Sequence, residues 1–245
     1  MKNLIAAEFL KLRTTKTTWA LLAATVMTTS LAVIAAILVA SNSKLDLESL
    51  SGIRTILHVT ASGGIFVLVL GVIISAGEYR QRTATDTFLT TPKRWKVIGS
   101  KLIVATSTGV VFGAIAAISA IGVANHVYAV KGYTFPLGSS QAWTMLGGSV
   151  LAAALFGAIG AASGSLVRNQ VTAIVAWLTW LFVIENIVLG FSSTLGRWLP
   201  AALNRSLVRD PDADLLGQTT AGLALLSYAL VIMFVALSYE SKRDA

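Results

Sequence analysis

The sequence predicts an all-α polytopic membrane protein with six transmembrane helices and both termini in the cytoplasm. Of its 245 residues 55% are hydrophobic and only 12% are charged, and the mean hydropathy is +0.76. Soluble domains carry roughly a quarter charged residues, so a soluble globular fold is excluded. Six long apolar stretches and an alternating distribution of basic residues complete the prediction.

The apolar stretches set the number of spans. A hydrocarbon core about 30 Å thick needs roughly 20 residues of helix. We place the spans at residues 19–40, 56–77, 102–124, 143–166, 171–191 and 219–239, all within a single transmembrane domain over residues 1–245. The remaining segments are an interfacial helix at 1–18, a long connection at 78–101 and an outer loop at 192–218.

Basic residues set the orientation. They concentrate before span 1, between spans 2 and 3, at Arg168 between spans 4 and 5, and after span 6. Loops rich in lysine and arginine stay in the cytoplasm, which places both termini there. The net charge of +8 is then explained by topology and anionic lipid headgroups, and a nucleic-acid partner is not expected.

Small residues recur four apart at Gly109 and Gly113 and at Gly160 and Gly164. This spacing lets two helix backbones approach closely in lipid. Packing within one bundle is favoured over a seam between two copies.

The N-terminal stretch predicts an amphipathic helix. Apolar residues repeat at helical spacing, at Leu4, Ile5, Phe9 and Leu12, with polar residues between them. Such a helix lies in the cytoplasmic interface. It is either a surface anchor, which the sequence favours, or a lever that connects a cytoplasmic partner to span 1.

The connection at 78–101 is too long for a simple turn. A helix beginning near Glu78 would place acidic charge in its first turn, where the helix dipole favours it. Pro92 would end that helix by about Thr90, and Thr91 would cap a second helix that starts at Pro92 and runs into span 3. We expect a helix-break-helix elbow that docks on a partner, with a solvated basic loop as the alternative.

Glu185 is the only acidic residue inside a predicted span, in the outer half of span 5. An ionisable group at membrane depth is costly and is a functional-site hypothesis by default. The alternative is a protonated or interfacial carboxyl, hydrogen-bonded to Asn186 or to a neighbouring helix. Beyond span 5, Trp198, Leu199 and Leu203 predict a short helix against the outer membrane face.

The sequence lacks the motifs of several kinds of metal site and catalytic site. The chain has no cysteine and two histidines, so neither a thiolate metal site nor a histidine-built zinc centre is expected. It has no Gly-x-x-x-x-Gly-Lys-Ser/Thr and no His-Glu-x-x-His, which disfavours nucleotide hydrolysis and metalloprotease activity. We therefore expect no enzyme, no catalytic residues and no metal, and any ATP dependence must come from another polypeptide.

Four segments resemble the permease subunits of bacterial type-2 ABC exporters, especially the antibiotic-resistance and bacteriocin-immunity kind. The segments are AEFLKLRTTKTTW, GEYRQRTATDTFLTTPKRWKVIGSKL, LVRNQVTAIVAWLTWLFVIENIV and RWLPAALNRSL. They look like the family's N-terminal amphipathic helix, its segment between spans 2 and 3, its fifth span and the Leu-Pro segment after it. Their order and spacing carry the resemblance over nearly the whole chain.

The absence of a charged pathway through several spans favours an amphipathic or hydrophobic substrate. The resemblance implies a permease of an exporter in the bacterial cytoplasmic (inner) membrane, surrounded by lipid. It implies two copies of a separate ABC ATPase, which binds ATP and Mg, and a second permease, either a copy or a paralogue. No cofactor is expected on this chain itself. The implied ATPase-coupling residues are Glu78, Tyr79, Arg80, Arg82, Thr91 and Pro92. Glu185 is the pathway candidate, and Phe9 and Leu12 belong to the interfacial helix.

The sequence is also compatible with two other classes of membrane protein. In a stand-alone ion-coupled secondary transporter, Glu185 would carry the proton and transport would not need ATP. In a membrane scaffold, the basic elbow would recruit a cytoplasmic partner, and changes in the spans would be silent.

Overall fold

A computed structural model describes residues 1–43, 46–80, 94–136, 138–210 and 215–241, and within them all regular structure is helical. The helices are α1 (Lys2–Thr14), α2 (Lys16–Asn42), α3 (Leu50–Leu57), a 3-10 helix (His58–Gly63), α4 (Gly64–Arg80), α5 (Arg94–Val130), α6 (Ser140–Val167), α7 (Gln170–Thr179), a π-helix (Trp180–Ile184), α8 (Glu185–Phe191), α9 (Ser193–Gly196), α10 (Pro200–Leu207) and α11 (Gln218–Ser241).

Six helical stretches are long and apolar enough to cross a membrane, which confirms the predicted number of spans. Span 1 is α2, span 2 runs from α3 through the 3-10 helix to α4, span 3 is α5, span 4 is α6, span 5 runs from α7 to α8, and span 6 is α11. Spans 2 and 3, at Leu50–Arg80 and Trp95–Val130, extend well beyond the predicted 56–77 and 102–124. Hydropathy marks where apolar residues begin, whereas backbone hydrogen bonding continues the helix through the polar residues that flank them.

Span 4 is the centre of the bundle. Its most apolar window is 78% buried, against 11% for span 5 and 22% for spans 1 and 6, because spans 2, 3, 5 and 6 pack against it. Glycines allow the close approach: a Cβ at Gly109 would lie 2.5 Å from Ala153 O, and one at Gly164 would lie 2.8 Å from Val72 O. These contacts join spans within one chain, as the spacing of the glycines predicted.

Two local predictions are wrong. Glu78 itself does not begin a helix, because α4 continues through Glu78 to Arg80. The helix after span 5 exists as α10, but it does not lie on the surface, since Leu203 and Leu207 are only 0% and 2% exposed and pack into the core with residues of spans 2, 4 and 6. In both places buried apolar contacts, rather than the local pattern of charges and turns, determine where the helix lies.

Candidate functional site

Charged side chains meet at the end of the bundle where α1 lies, which we call the α1 end. Glu8 and Lys11 are one turn apart on α1. Glu78 is in the last turn of α4, and Lys101 is near the start of α5. Helical spacing turns both α1 side chains to the same face, so three elements separated in the sequence contribute to one group, here called the ion cluster.

The ion cluster alternates in charge. Lys11 Nζ lies 2.8 Å from Glu8 Oε1 and 2.6 Å from Glu78 Oε1. Lys101 Nζ lies 3.4 Å from Glu8 Oε1 and 3.1 Å from Glu78 Oε1, and it also donates a hydrogen bond to Ile74 O at 3.1 Å. Each charge therefore contacts two charges of opposite sign.

Three of the four members are buried. Lys101, Glu8 and Glu78 are 4%, 6% and 8% exposed, whereas the Lys11 side chain is 53% exposed. A buried charge is tolerated when it is paired and hydrogen-bonded, and losing one partner leaves an uncompensated charge. The loss of any single member therefore leaves one charge of the cluster uncompensated.

Lys11 is the solvent-facing member of the cluster. Its partial burial disfavours the ammonium form, but the hydrogen bonds to Glu78 and Glu8 and the charges of those carboxylates outweigh this effect. The pKa of Lys11 is therefore raised from its ordinary value of 10.5. A raised lysine pKa means that the pairing stabilises the fold fully below pH 10.5, and that this contribution is lost as the pH rises through the folded-state pKa.

A second contact joins the ends of three spans. Arg168 ends α6 in the left-handed conformation, with φ of 55°. Its guanidinium carbon lies 5.4 Å from the ring centre of Tyr79 and 5.9 Å from that of Tyr239, within the range of cation–π attraction. The sequence favoured a topology-fixing charge for Arg168, with a contact to a partner as the alternative, and the structure links it to spans 2 and 6 of the same chain.

The predicted coupling residues separate into two groups. Glu78 belongs to the ion cluster, Tyr79 contacts Arg168, and Arg80 is exposed at the end of α4. The other three lie outside the described residues: Arg82, Thr91 and Pro92. The elbow predicted around Pro92 therefore stays a prediction.

The two residues named for the interfacial helix lie in different environments. Phe9 is 41% exposed, whereas Leu12 is half-buried and packs against an apolar group formed by spans 2, 3 and 4. Sequence reasoning missed Glu8, Lys11 and Lys101 as a unit. The available signal was the Glu8 to Lys11 spacing on an amphipathic helix, with Lys101 at the edge of the predicted span 3.

Glu185 occupies a buried position near the other end of the bundle. It is 1% exposed and directly follows the π-helix of span 5, a distortion that is frequent at functional sites. Its Oε2 accepts a hydrogen bond of 2.8 Å from the backbone N–H of Ala201, at the N-terminus of α10. Pro200 begins that helix, and a carboxylate at a helix N-terminus is favoured by the dipole.

The second carboxylate oxygen of Glu185 has no hydrogen-bond partner among the described residues. Asn186 donates instead to the backbone oxygen of Phe182 at 2.8 Å. Of the contacts expected for Glu185, the structure shows the one to a neighbouring helix and not the one to Asn186.

No group of three or more metal-ligating side chains forms within the described part of the chain. The polar contacts described above are the ion cluster, the arginine–tyrosine contact and the Glu185 contact to α10. All three join different helices of the bundle.

Comparison with known proteins gives the family. A family model described as "ABC-2 family transporter protein" matches residues 4–186, from α1 to the beginning of α8. A search of curated proteins finds no match. The matched region contains the ion cluster, Arg168 and Glu185. The chain therefore belongs to the ABC-2 family of transporter proteins, whose members are multi-pass membrane components of ABC transporters that associate with an ABC ATPase.

Proposed function

We propose that this chain is the permease subunit of an ABC exporter in the cytoplasmic membrane of a bacterium. It forms the substrate pathway and couples it to ATP hydrolysis on a separate ATPase, which binds ATP and Mg. The single observation that carries this proposal is the family match across the first four spans and most of the fifth. The basic residues at the α1 end support a cytoplasmic location for that end.

The coupling element of the proposal is the predicted elbow between spans 2 and 3. Its two flanks are held by interhelical contacts: Glu78 joins the ion cluster, Tyr79 contacts Arg168, and Lys101 pairs with Glu78. An elbow with anchored flanks transmits a push from a docked ATPase to the spans. Arg80, Arg82, Thr91 and Pro92 are the candidates for direct contact with the ATPase.

The assembly of the proposal contains two ATPases and a second permease, a copy of this chain or a paralogue. Span 5 supports the pairing, because only 11% of its most apolar window is buried within the chain, and its remaining surface is available to lipid or to a second permease. ATP-driven closure of the ATPases would switch the permease pair between inward-facing and outward-facing states. The substrate class is amphipathic or hydrophobic, as in antibiotic-resistance exporters.

Glu185 is proposed to shape the outer part of the pathway. Its contact with Ala201 holds the start of α10 against span 5, so the position of α10 depends on this carboxylate. In the competing secondary-transporter reading the same carboxylate carries a proton. The two readings differ in whether transport requires an ATPase.

The test is affinity purification of the tagged chain from its native membrane in mild detergent. We expect a co-purifying ATPase with a P-loop, and we expect the variant Arg80→Ala with Arg82→Ala to lose it. The matched control is Arg54→Ala with Lys131→Ala, which removes the same charge from described residues at the opposite end of the bundle. A chain that purifies without an ATPase and transports substrate without ATP would overturn the proposal.

A further inference from the structure

We propose that a cavity between α1, α2, α4 and α7 binds the headgroup of an anionic phospholipid. The cavity lies at the α1 end, has a volume of about 260 Å³ and is here called the α1 cavity. It adjoins the ion cluster, but the cluster is a set of contacts within the protein, whereas the cavity has room for a ligand. The proposal is independent of any ATPase.

The polar wall of the α1 cavity offers hydrogen-bond donors to an anion. It includes Lys11, Arg80 and Gln170. An ammonium group has three N–H donors, and Lys11 uses two of them on Glu8 and Glu78, which leaves one for a ligand. Arg80 is exposed, and a guanidinium is a planar fork of N–H donors that matches the geometry of a phosphate.

The charge of the polar wall favours an anion over a cation. Two carboxylates of the ion cluster also line the cavity, but the four charges of that cluster contact and cancel one another. Arg80 adds a positive charge to the wall. Gln170 is the first residue of α7, and a helix N-terminus carries a partial positive charge and N–H groups that have no partner inside the helix.

The inner wall of the α1 cavity is apolar. It consists of one face of α4, at the helical positions i, i+3, i+4 and i+7, namely Leu70, Ile73, Ile74 and Gly77. At 1.5 Å per residue this face extends about 10 Å along span 2. A free phosphate ion has no group that would cover such a wall, whereas the glycerol and the first acyl carbons of a phospholipid would. The two walls together therefore match an amphipathic ligand with a negative head.

The size of the α1 cavity fits part of a lipid. A pocket that encloses a whole drug-sized ligand has roughly 300–1,000 Å³, and this cavity is smaller. It accommodates the headgroup and the adjoining carbons, while the acyl chains continue along the lipid-facing surface of the spans. The basic residues at the α1 end favour the cytoplasmic leaflet, where anionic lipids are found.

Gly77→Leu tests the site by filling the cavity without changing a charge. A Cβ at Gly77 would meet only Ile73 Cγ2, at 4.0 Å, so the helix accepts a side chain there. The matched control is Gly122→Leu in span 3, outside the cavity, where a Cβ would meet nothing within 4 Å.

Arg80→Gln tests the charge of the polar wall. Its matched control is Lys96→Gln on α5, which removes the same charge from the same end of the bundle but from a residue that does not line the cavity. The comparison separates a defined site from the general attraction of basic residues to anionic lipid.

The measurement is the unfolding temperature of the purified full chain, washed free of lipid in a neutral detergent, with increasing amounts of phosphatidylglycerol. Parallel samples receive phosphatidylcholine with the same acyl chains, whose choline cation cancels the phosphate charge, or inorganic phosphate. A ligand that binds only the folded state raises this temperature according to its affinity. No ATPase is present, so the proposed contact of Arg80 with an ATPase does not enter the result.

We expect phosphatidylglycerol to raise the unfolding temperature of the intact chain in a saturable way, and phosphatidylcholine and inorganic phosphate to leave it nearly unchanged. The saturable rise should be lost in Gly77→Leu. Arg80→Gln should weaken the affinity about fivefold, the usual contribution of one basic residue near an anionic lipid surface. Gly122→Leu and Lys96→Gln should behave like the intact chain.

Three results would overturn the proposal. An equal rise with phosphatidylcholine would show that the charge of the headgroup is not recognised. The same rise with inorganic phosphate alone would identify the ligand as a free anion rather than a lipid. An undiminished rise in Gly77→Leu would place the lipid elsewhere. If Gly77→Leu does not fold, the second pair of variants decides, and equal affinities of Arg80→Gln and Lys96→Gln would overturn the site.

Discussion

Lys101 Nζ on α5 lies 3.1 Å from Glu78 Oε1 on α4, and both side chains are buried where spans 2 and 3 enter the connecting segment. The two flanks of that segment are therefore tied to each other as well as to α1. Such a buried ion pair is weak evidence that the contact stabilises the fold. Removing one partner, however, destabilises the fold because it leaves the other charge buried and unpaired.

The first prediction concerns that sensitivity. Lys101→Met leaves Glu8 and Glu78 buried with Lys11 as the remaining lysine, and we expect a loss of about 3–5 kcal/mol in the free energy of unfolding. Glu8→Gln with Lys101→Met restores the charge balance and should cost less than Lys101→Met alone. Thermal unfolding in detergent measures both, and a double variant less stable than the single one would contradict the alternating cluster.

The second prediction concerns helix packing around span 4. Gly109→Ala places a Cβ 2.5 Å from Ala153 O and 2.8 Å from Ala154 Cα, both backbone atoms that cannot rotate away. We expect a loss of about 1–3 kcal/mol, the usual cost of overpacking, seen as a lower unfolding temperature. Gly122→Ala on the same helix meets nothing within 4 Å and should be neutral. Equal effects at the two sites would rule out this close approach.

The third prediction concerns the contact between span 5 and α10. Glu185→Ala removes the acceptor of the Ala201 N–H, and we expect it to loosen α10 by about 1–2 kcal/mol, as for loss of a helix cap. Glu185→Gln keeps a carbonyl acceptor and should hold α10. The measurement is maleimide labelling of Ser206→Cys, a site only 2% exposed.

Labelling at Ser206→Cys should rise in the Glu185→Ala background and stay low in the Glu185→Gln background. The absence of native cysteine makes the signal specific to that site. Labelling that stays as low in the Glu185→Ala background as in the Glu185 protein would show that this side chain does not position α10.

The fourth prediction concerns pH. Because the folded-state pKa of Lys11 is raised above 10.5, the contribution of its pairing should be constant below pH 10.5 and should decline as the pH rises further. Lys11→Arg should move this decline to higher pH, since arginine stays protonated there. The unfolding temperature as a function of alkaline pH tests both, and identical profiles for the two proteins would contradict the pairing.

The spans were predictable because their signal is local. An apolar run such as that of span 4 can be recognised from a short stretch of sequence alone. Gly109 and Gly164 each have a second glycine four residues away, and this spacing predicts the close helix contacts that both residues make. The ion cluster was not predictable as a unit, because Glu8 and Lys101 are far apart in the sequence and meet only after span 3 packs beside α1. The hydrogen bond between Ala201 and Glu185 was not predictable either. The two residues meet only because the chain folds back after the π-helix and α8.

The rate of ATP hydrolysis tests most directly whether this permease is coupled to an ATPase through the predicted elbow. The purified complex in liposomes is compared with its ATPase alone and with the complex carrying Arg80→Ala and Arg82→Ala, all with Mg-ATP. We predict a severalfold difference between the complex and the free ATPase, lost in the variant. One and the same rate in all three samples would contradict coupling through this chain.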